Sequence, residues 1–192
     1  MTGGLFPDPL PPGLVYVPGW LSASEQRSVV DEIDSLEFSN EIARRVQHYG
    51  YRYDYSEKAV HDIGSAPPIP PVMKQIAHRL VAECYFAQTP TQVIVNEYLT
   101  DQGIAAHIDR VSFGPAVATI SLLESWPMTF KKAGREDMDV LLESGSLAVM
   151  TGESRYEWTH QIRARKFDQQ GAMKVSRHRR LSLTYRTVLE SN

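Results

Sequence analysis

"NEYLTDQGIAAHIDR", residues 96–110, decides how this chain is read. His107 and Asp109 stand two residues apart, just after a glycine in a run of small residues, and Asn96 and Tyr98 stand two apart ahead of them. On a β-strand, residues i and i+2 point to the same face. Read as strand, the stretch lets His107 and Asp109 reach one point together. That point suits a metal ion; a hydrogen-bonded His–Asp pair is the plainer alternative.

The flanking sequence supplies strands on both sides. "TQVIVNEYL" (91–99), "AVATISLL" (116–123), "MTFKK" (128–132), "SLAVMT" (146–151) and "RLSLTYRTV" (180–188) are short β-type runs separated by turn residues. The first ninety residues have a different texture. "LVYV" (14–17) reads as a short strand. Ser22–Leu36 reads as a helix, with Ser22 and Glu25 in a capping-box pattern and Val29, Val30, Ile33 and Leu36 on one face. Residues 46–55 alternate as a strand and set Tyr49, Tyr51, Tyr53 and Tyr55 on one side of it. Pro67, Pro68, Pro70 and Pro71 form a rigid link into a second helix running to about Phe86. Residues 1–13, with Pro7, Pro9, Pro11 and Pro12, read as an extended N-terminal arm, and 14–192 as one domain. The expectation is an antiparallel barrel or sandwich whose early helices cover one sheet, with a ligand pocket between two sheets.

The chain has 192 residues, 42% of them hydrophobic, enough for one domain with a real core. Its single cysteine, Cys84, rules out a disulfide framework and a cysteine zinc site, and fits a reducing compartment. No basic flank joins an apolar segment at the N-terminus, and no run approaches the roughly 18 apolar residues of a membrane span. A soluble cytoplasmic protein is expected. Residues 161–186 hold eight Lys/Arg against Asp168 alone, a local +7 on a chain of net −3. Such a segment suggests a polyanion bound at one place, or a solvated basic loop.

A metal needs a third ligand, and His160 in "YEWTHQI" (156–162) is the best candidate. Two imidazoles and one carboxylate suit non-haem Fe(II) with open positions for O2 and a co-substrate; zinc hydrolases also use that set. In "RRLSLTYR" (179–186), Arg180, Ser182, Thr184 and Arg186 alternate with Leu181, Leu183 and Tyr185. One strand face then carries two guanidiniums and two hydroxyls, and a dicarboxylate would use both forks. Asn96 and Tyr98 could hydrogen-bond an organic acid.

In chain order, Asn-x-Tyr, His-x-Asp, His and Arg-x-Ser-x-Thr-x-Arg resemble the AlkB-like Fe(II)/2-oxoglutarate-dependent dioxygenases over roughly residues 14–188. The phrases "QHYGYRYDY" (47–55), "GIAAHID" (103–109) and "SGSLAVMTGESRYEWTHQI" (144–162) look similar to the AlkB domain of the animal tRNA wobble-uridine hydroxylase. Bacterial alkylation-repair members share the core. The resemblance implies a mainly β fold with some α, a double-stranded β-helix (jelly-roll) core with N-terminal helices packed on one sheet. It implies Fe(II), 2-oxoglutarate and O2 as cofactor and co-substrates. His107, Asp109 and His160 would ligate the iron. Arg180 would pair with the distal carboxylate of 2-oxoglutarate, helped by Tyr98, with Arg186 and Asn96 at the metal-binding end and Ser182 and Thr184 between. Ser182 stands where the DNA-repair members usually carry Asn.

The resemblance also places lid elements within about 40–65 and a substrate side formed by Tyr51, Tyr53, Arg110, Arg155 and Trp158. The implied reaction is oxidative demethylation of alkylated bases in DNA or RNA, releasing formaldehyde, succinate and CO2. The alternatives are hydroxylation of a modified tRNA wobble base and oxidation of a protein or small molecule. A short chain without room for further RNA-binding modules favours repair; the likeness of "MTGESRYEWTH" favours the wobble base. The expected partner is single-stranded DNA or RNA, including tRNA, for a monomer that does not meet a membrane.

Overall fold

The computed structural model describes residues 10–54, 59–60, 66–170 and 173–189. The arm up to residue 9, Tyr55 and His61 lie outside them. In chain order the elements are β1 (Leu14–Val17), α1 (Ala23–Asp34), β2 (Arg45–Tyr49), β3 (Tyr53–Asp54), β4 (Ala59–Val60), α2 (Pro71–Ala82), β5 (Gln92–Tyr98), β6 (Ile104–His107) and β7 (Phe113–Leu122). Then come β8 (Trp126–Lys131), β9 (Met138–Leu142), β10 (Leu147–Met150), α3 (Gly152–Tyr156), β11 (Thr159–Ile162), β12 (Phe167–Gln170), β13 (Met173–Ser176) and β14 (Arg180–Val188).

Two antiparallel sheets face each other. The larger runs β1-β10-β7-β14-β5-β2 and the smaller β6-β11-β8-β9. This is the jelly roll the resemblance implied. Alternation along the strands divides the apolar residues into two cores. Val93, Val95, Leu181, Leu183 and Tyr185 point outward and bury Val29 and Ile33 of α1 and Met73, Ile76 and Leu80 of α2. Tyr98, Val117, Trp126, Phe130, Trp158 and Ile162 fill the space between the sheets. The helices therefore cover the outer face of the larger sheet, and the inner face is left for a ligand.

Helix α1 starts with the predicted box: the Glu25 amide donates to Ser22 Oγ at 3.3 Å and the Ser22 amide to Glu25 Oε2 at 2.7 Å. Helix α2 begins at Pro71, whose missing N–H costs nothing there. Its next amides, of Val72 and Met73, donate to the Glu32 carboxylate of α1 at 3.0 and 3.1 Å. A carboxylate at a helix N-terminus also meets the favourable end of the dipole.

Two predicted elements run too long. Helix α2 stops at Ala82, not at Phe86, because Cys84 takes a left-handed φ of 62°. The amides of Tyr85 and Phe86 then close back on the Leu80 carbonyl. Phe86 stays buried, so its apolar character was informative about the core and misleading about the helix. The strand expected over 46–55 breaks at Gly50, φ 78°, where a Cβ would lie 1.9 Å from the Thr91 carbonyl oxygen. The tyrosines therefore do not share one strand face: Tyr49 and Tyr51 are buried, and Tyr53 starts a separate two-residue strand. No helix among the described residues is long and apolar enough to cross a membrane.

Candidate active site

The register of β6 against β11 sets His107 directly opposite His160, with ring centroids 4.3 Å apart. Asp109 arrives differently. Strand β6 ends at His107, and the chain turns through 108–112 towards β7. Its carboxylate still meets the two imidazoles: the three residues can each offer a ligand atom with all of these within 4.8 Å of one another. Asp109 Oδ2 lies 3.7 Å from His160 Nε2.

Hydrogen bonds decide which atoms are available. His107 Nδ1 sits 2.9 Å from the Ala105 carbonyl, which can only accept, so Nδ1 carries the proton and Nε2 keeps its lone pair. Arg186 donates from Nε to Asp109 Oδ1 at 2.9 Å, and its Nη2 forms an ion pair with the same oxygen at 2.6 Å. Oδ2 is buried with no hydrogen-bond partner. An orphaned buried carboxylate oxygen between two imidazoles is what a cation would satisfy. Burial works to raise the Asp109 carboxyl, but the guanidiniums beside it, Arg186 first, hold it below the usual carboxylate range. Burial pushes His160 down to about 3, outweighing the pull of Asp109, so its imidazole is neutral and ready to ligate. Two imidazoles and one single-oxygen carboxylate leave other positions of a metal open.

A cavity of about 510 Å3 between the sheets contains this group and is also lined by Asn96, Tyr98, Ser182, Thr184 and Arg186. Pairing of β14 with β5 explains the gathering, since Arg180 registers with Tyr98 and Ser182 with Asn96. Arg180 does not itself line the cavity; it lies on the same face of β14, two residues before Ser182, with its guanidinium 5.5 Å from the centroid of the Tyr98 ring, which does line it. It is 0% exposed and makes one hydrogen bond, Nη2 to Ser121 Oγ at 2.7 Å, while Nε and Nη1 have no partner. Burial lowers its pKa to about 10, which leaves it charged at neutral pH. A buried cation with half its fork unused calls for an anion, and a carboxylate matches that fork.

The expected substrate side divides. Tyr53 and Arg110 line the cavity. Tyr51 does not; it is buried, and its carbonyl accepts from Gln92 Nε2 at 3.2 Å. Trp158 packs between the sheets and donates to Glu153 Oε1 at 2.9 Å. Arg155 is buried beneath the site and bonds backbone carbonyls. Sequence reasoning missed Arg44, which lines the cavity and donates from Nε to Asn96 Oδ1 at 2.8 Å. It stands in an irregular stretch with no periodicity, so nothing marked it. His48 meets Glu41, His78 is exposed on α2, and His178 lies in the basic segment; none joins the metal group.

The family model described as the 2OG-Fe(II) oxygenase superfamily matches residues 13–186. The chain belongs to this superfamily. Among its relatives are AlkB homologues. It is 37% identical over 168 residues to the tRNA (carboxymethyluridine(34)-5-O)-methyltransferase ALKBH8 of Mus musculus, covering 83% of this chain and 25% of that one. It is 28% identical over 202 residues to the Alkylated DNA repair protein ALKBH8 homolog of Arabidopsis thaliana, covering 92% of this chain and 58% of that one. The chain spans about a quarter of the length of the curated vertebrate ALKBH8 relatives it matches. The solved structure of OsALKBH1 superposes with a TM-score of 0.72 at 19% identity, over 93% of this chain and 98% of that one, which shows a shared fold. This 2OG-Fe(II) oxygenase uses Fe(II), 2-oxoglutarate and O2, and the orphaned Asp109 oxygen and Arg180 guanidinium fit the metal and the diacid.

Proposed function

We propose that this oxygenase acts on a modified base in a single-stranded nucleic acid, with oxidative demethylation of alkylated DNA or RNA as its leading reaction. The cavity carries the reading. At about 510 Å3 it has room beside the diacid, and Tyr53 and Arg110 line it alongside the metal and co-substrate residues. An aromatic ring can meet an unstacked base, and a guanidinium a neighbouring phosphate.

Iron with 2-oxoglutarate and O2 supplies an oxidant that puts oxygen into a C–H bond and leaves succinate and CO2. The chain does the rest. His107, Asp109 and His160 hold the metal. Arg180 answers the far carboxylate of the diacid, with Tyr98, Asn96, Ser182 and Thr184 offering hydrogen bonds along the wall. Arg186 occupies one oxygen of Asp109 and so leaves a single oxygen for the metal. Ile104, Phe113, Met128 and Ile162 make the remaining wall apolar. On an N-methyl group, the hydroxylated product falls apart to formaldehyde and the unmodified base. On a ring-substituent carbon, the alcohol persists.

Hydroxylation of a modified tRNA wobble base is the second reading, favoured by the tRNA-named relatives at 34–37% identity. A monomer in the cytoplasm, with one domain over 14–192 and its lid within about 40–65, belongs to the same proposal. Mass spectrometry tests it. A single-stranded oligonucleotide carrying N3-methylcytosine, incubated with protein, Fe(II), 2-oxoglutarate and O2, is expected to lose the mass of one CH2 group, with Asp109→Ala inactive. Succinate formation without that loss would exclude this substrate. A gain of one oxygen on modified tRNA would then favour the second reading.

A further inference from the structure

Arg155 is 2% exposed and does not line the cavity. Its Nη1 donates to the Asp109 carbonyl at 2.8 Å, and its Nη2 to the carbonyls of Arg110 at 2.6 Å and Phe113 at 3.3 Å. Two of these acceptors lie in the turn between β6 and β7, and the third, Phe113, opens β7 directly after it. That turn carries Asp109, and β6 has already ended at His107, so no strand pairing reaches the carboxylate. The turn's own closure is one bond, from the Phe113 amide to the Arg110 carbonyl at 3.1 Å. Inward carbonyls need donors, and a guanidinium supplies several in one rigid plane.

The other end of the connection is α3, which leads directly into β11 and His160. The helix is itself held: Thr151, at its N-cap, donates from its amide to the Gly13 carbonyl at 3.0 Å, and Glu153 accepts from Trp158. Arg155 thus ties the loop of one expected ligand to the element that delivers another.

We infer that Arg155 is a positioning residue for the metal site, bracing the backbone beneath Asp109 so that Oδ2 faces the two histidines. Arg186 holds the side chain from the cavity and Arg155 holds the main chain from behind. Such outer support orients a ligand and sets metal affinity. Both of its terminal nitrogens are committed to backbone carbonyls, and its guanidinium lies 4.8 Å from the Tyr156 ring centroid, so the fork is taken up by the protein itself. The inference rests on His107, Asp109 and His160 being the ligands.

Mn(II) titration of the metal-free protein tests both layers. Wild type, Arg155→Lys, Arg155→Met and His107→Ala are compared, with circular dichroism as the check on folding. His107→Ala is expected to lose binding. Arg155→Lys keeps the charge without the fork and is expected to bind Mn(II) roughly 10- to 100-fold more weakly, with KM for 2-oxoglutarate unchanged at saturating metal. Wild-type affinity in Arg155→Lys, with His107→Ala defective, would overturn the brace. Equal binding by wild type and His107→Ala would overturn the ligand assignment and the inference with it. Hydrogen exchange on the wild type needs no variant: Mn(II) alone is expected to slow exchange in both 109–113 and 152–157. Slowing of 152–157 only after an oligonucleotide is added would return Arg155 to the substrate side.

Discussion

Arg180 and Arg186 lie on one strand face and do different work. Arg186 is bonded to Asp109, while Arg180 keeps two nitrogens unpaired in a dry environment. Truncating one partner of a buried charge pair costs roughly 2–5 kcal/mol. Arg180→Met is therefore expected to raise KM for 2-oxoglutarate by about 30-fold or more, with Mn(II) affinity unchanged. An unchanged KM in steady-state succinate assays would remove Arg180 from the co-substrate site. These residues were legible because period two survives in any strand. Arg155, Trp158 and Tyr51 were expected on the substrate side and are elsewhere. Their positions depend on carbonyls and ring contacts contributed by distant segments, which spacing along one segment does not report.

Elements carry a second kind of information. Strand β6 approaches β11 through Gly103, where a Cβ would sit 2.3 Å from the Ile162 carbonyl oxygen and 2.8 Å from the Ala164 amide nitrogen. The backbone on both sides is fixed, so Gly103→Ala must push the two strands apart just ahead of His107. A destabilisation of about 1–3 kcal/mol is expected, read as a lower denaturant midpoint, together with weaker Mn(II) binding because the His107–His160 pairing opens. Full metal affinity in a folded Gly103→Ala would show that the pairing does not set the site. The glycine before His107 was visible from the start, but its partner was not. Helix starts were legible through Ser22, Glu25 and Pro71. The ends of two elements were not, because Gly50 and Cys84 enter left-handed backbone inside runs whose hydrophobic pattern continues unbroken.

At the scale of the whole molecule, most of the basic segment is paired with the chain's own acids, some of it at the surface. Of the basic residues in 161–186, Arg163 pairs with Asp137, Arg165 and Arg177 with Asp168, Arg179 with Asp34 and Glu97, and Arg186 with Asp109, while Arg180 lies buried. Among the described residues that leaves Lys166 and Lys174 outside these ion pairs, with Lys174 Nζ lying 4.0 Å from the Phe167 ring centroid. Changing both to Ala is expected to flatten the salt dependence of single-stranded nucleic-acid binding by no more than about 1.4 in log–log slope, at ~0.7 per contact. A larger change in a titration series would restore the basic segment as a docking surface.

Glu97 makes the fold sensitive to acid. It is 1% exposed and shared by Arg45 and Arg179. Burial raises its pKa, but those two guanidiniums together lower it below the ordinary 4.5. A carboxyl depressed in the folded state stabilises the protein above its unfolded pKa, and that contribution is lost as pH falls through the folded value. Glu97→Gln is expected to lower stability at neutral pH and to flatten its decline below pH 4.5. Equal acid sensitivity in both proteins, followed by denaturant titration across pH, would exclude Glu97 as the cause.

Sheet order was the least legible feature, because alternation predicts strands without naming their neighbours. It has a consequence for synthesis. Strand β14 pairs with β5 on one side and β7 on the other, near the middle of the larger sheet, yet it is the last strand of that sheet to be made. At ~5–20 residues per second, the stretch from Tyr98 to Arg180 takes about 4–16 s to emerge from a ribosome. Over that interval the edge of β5, and from Leu122 onward the edge of β7 as well, lacks the neighbour they will share and is open to pairing with another nascent chain. Slow translation of the final strand would therefore lower the yield of soluble protein, even where the finished molecule is stable.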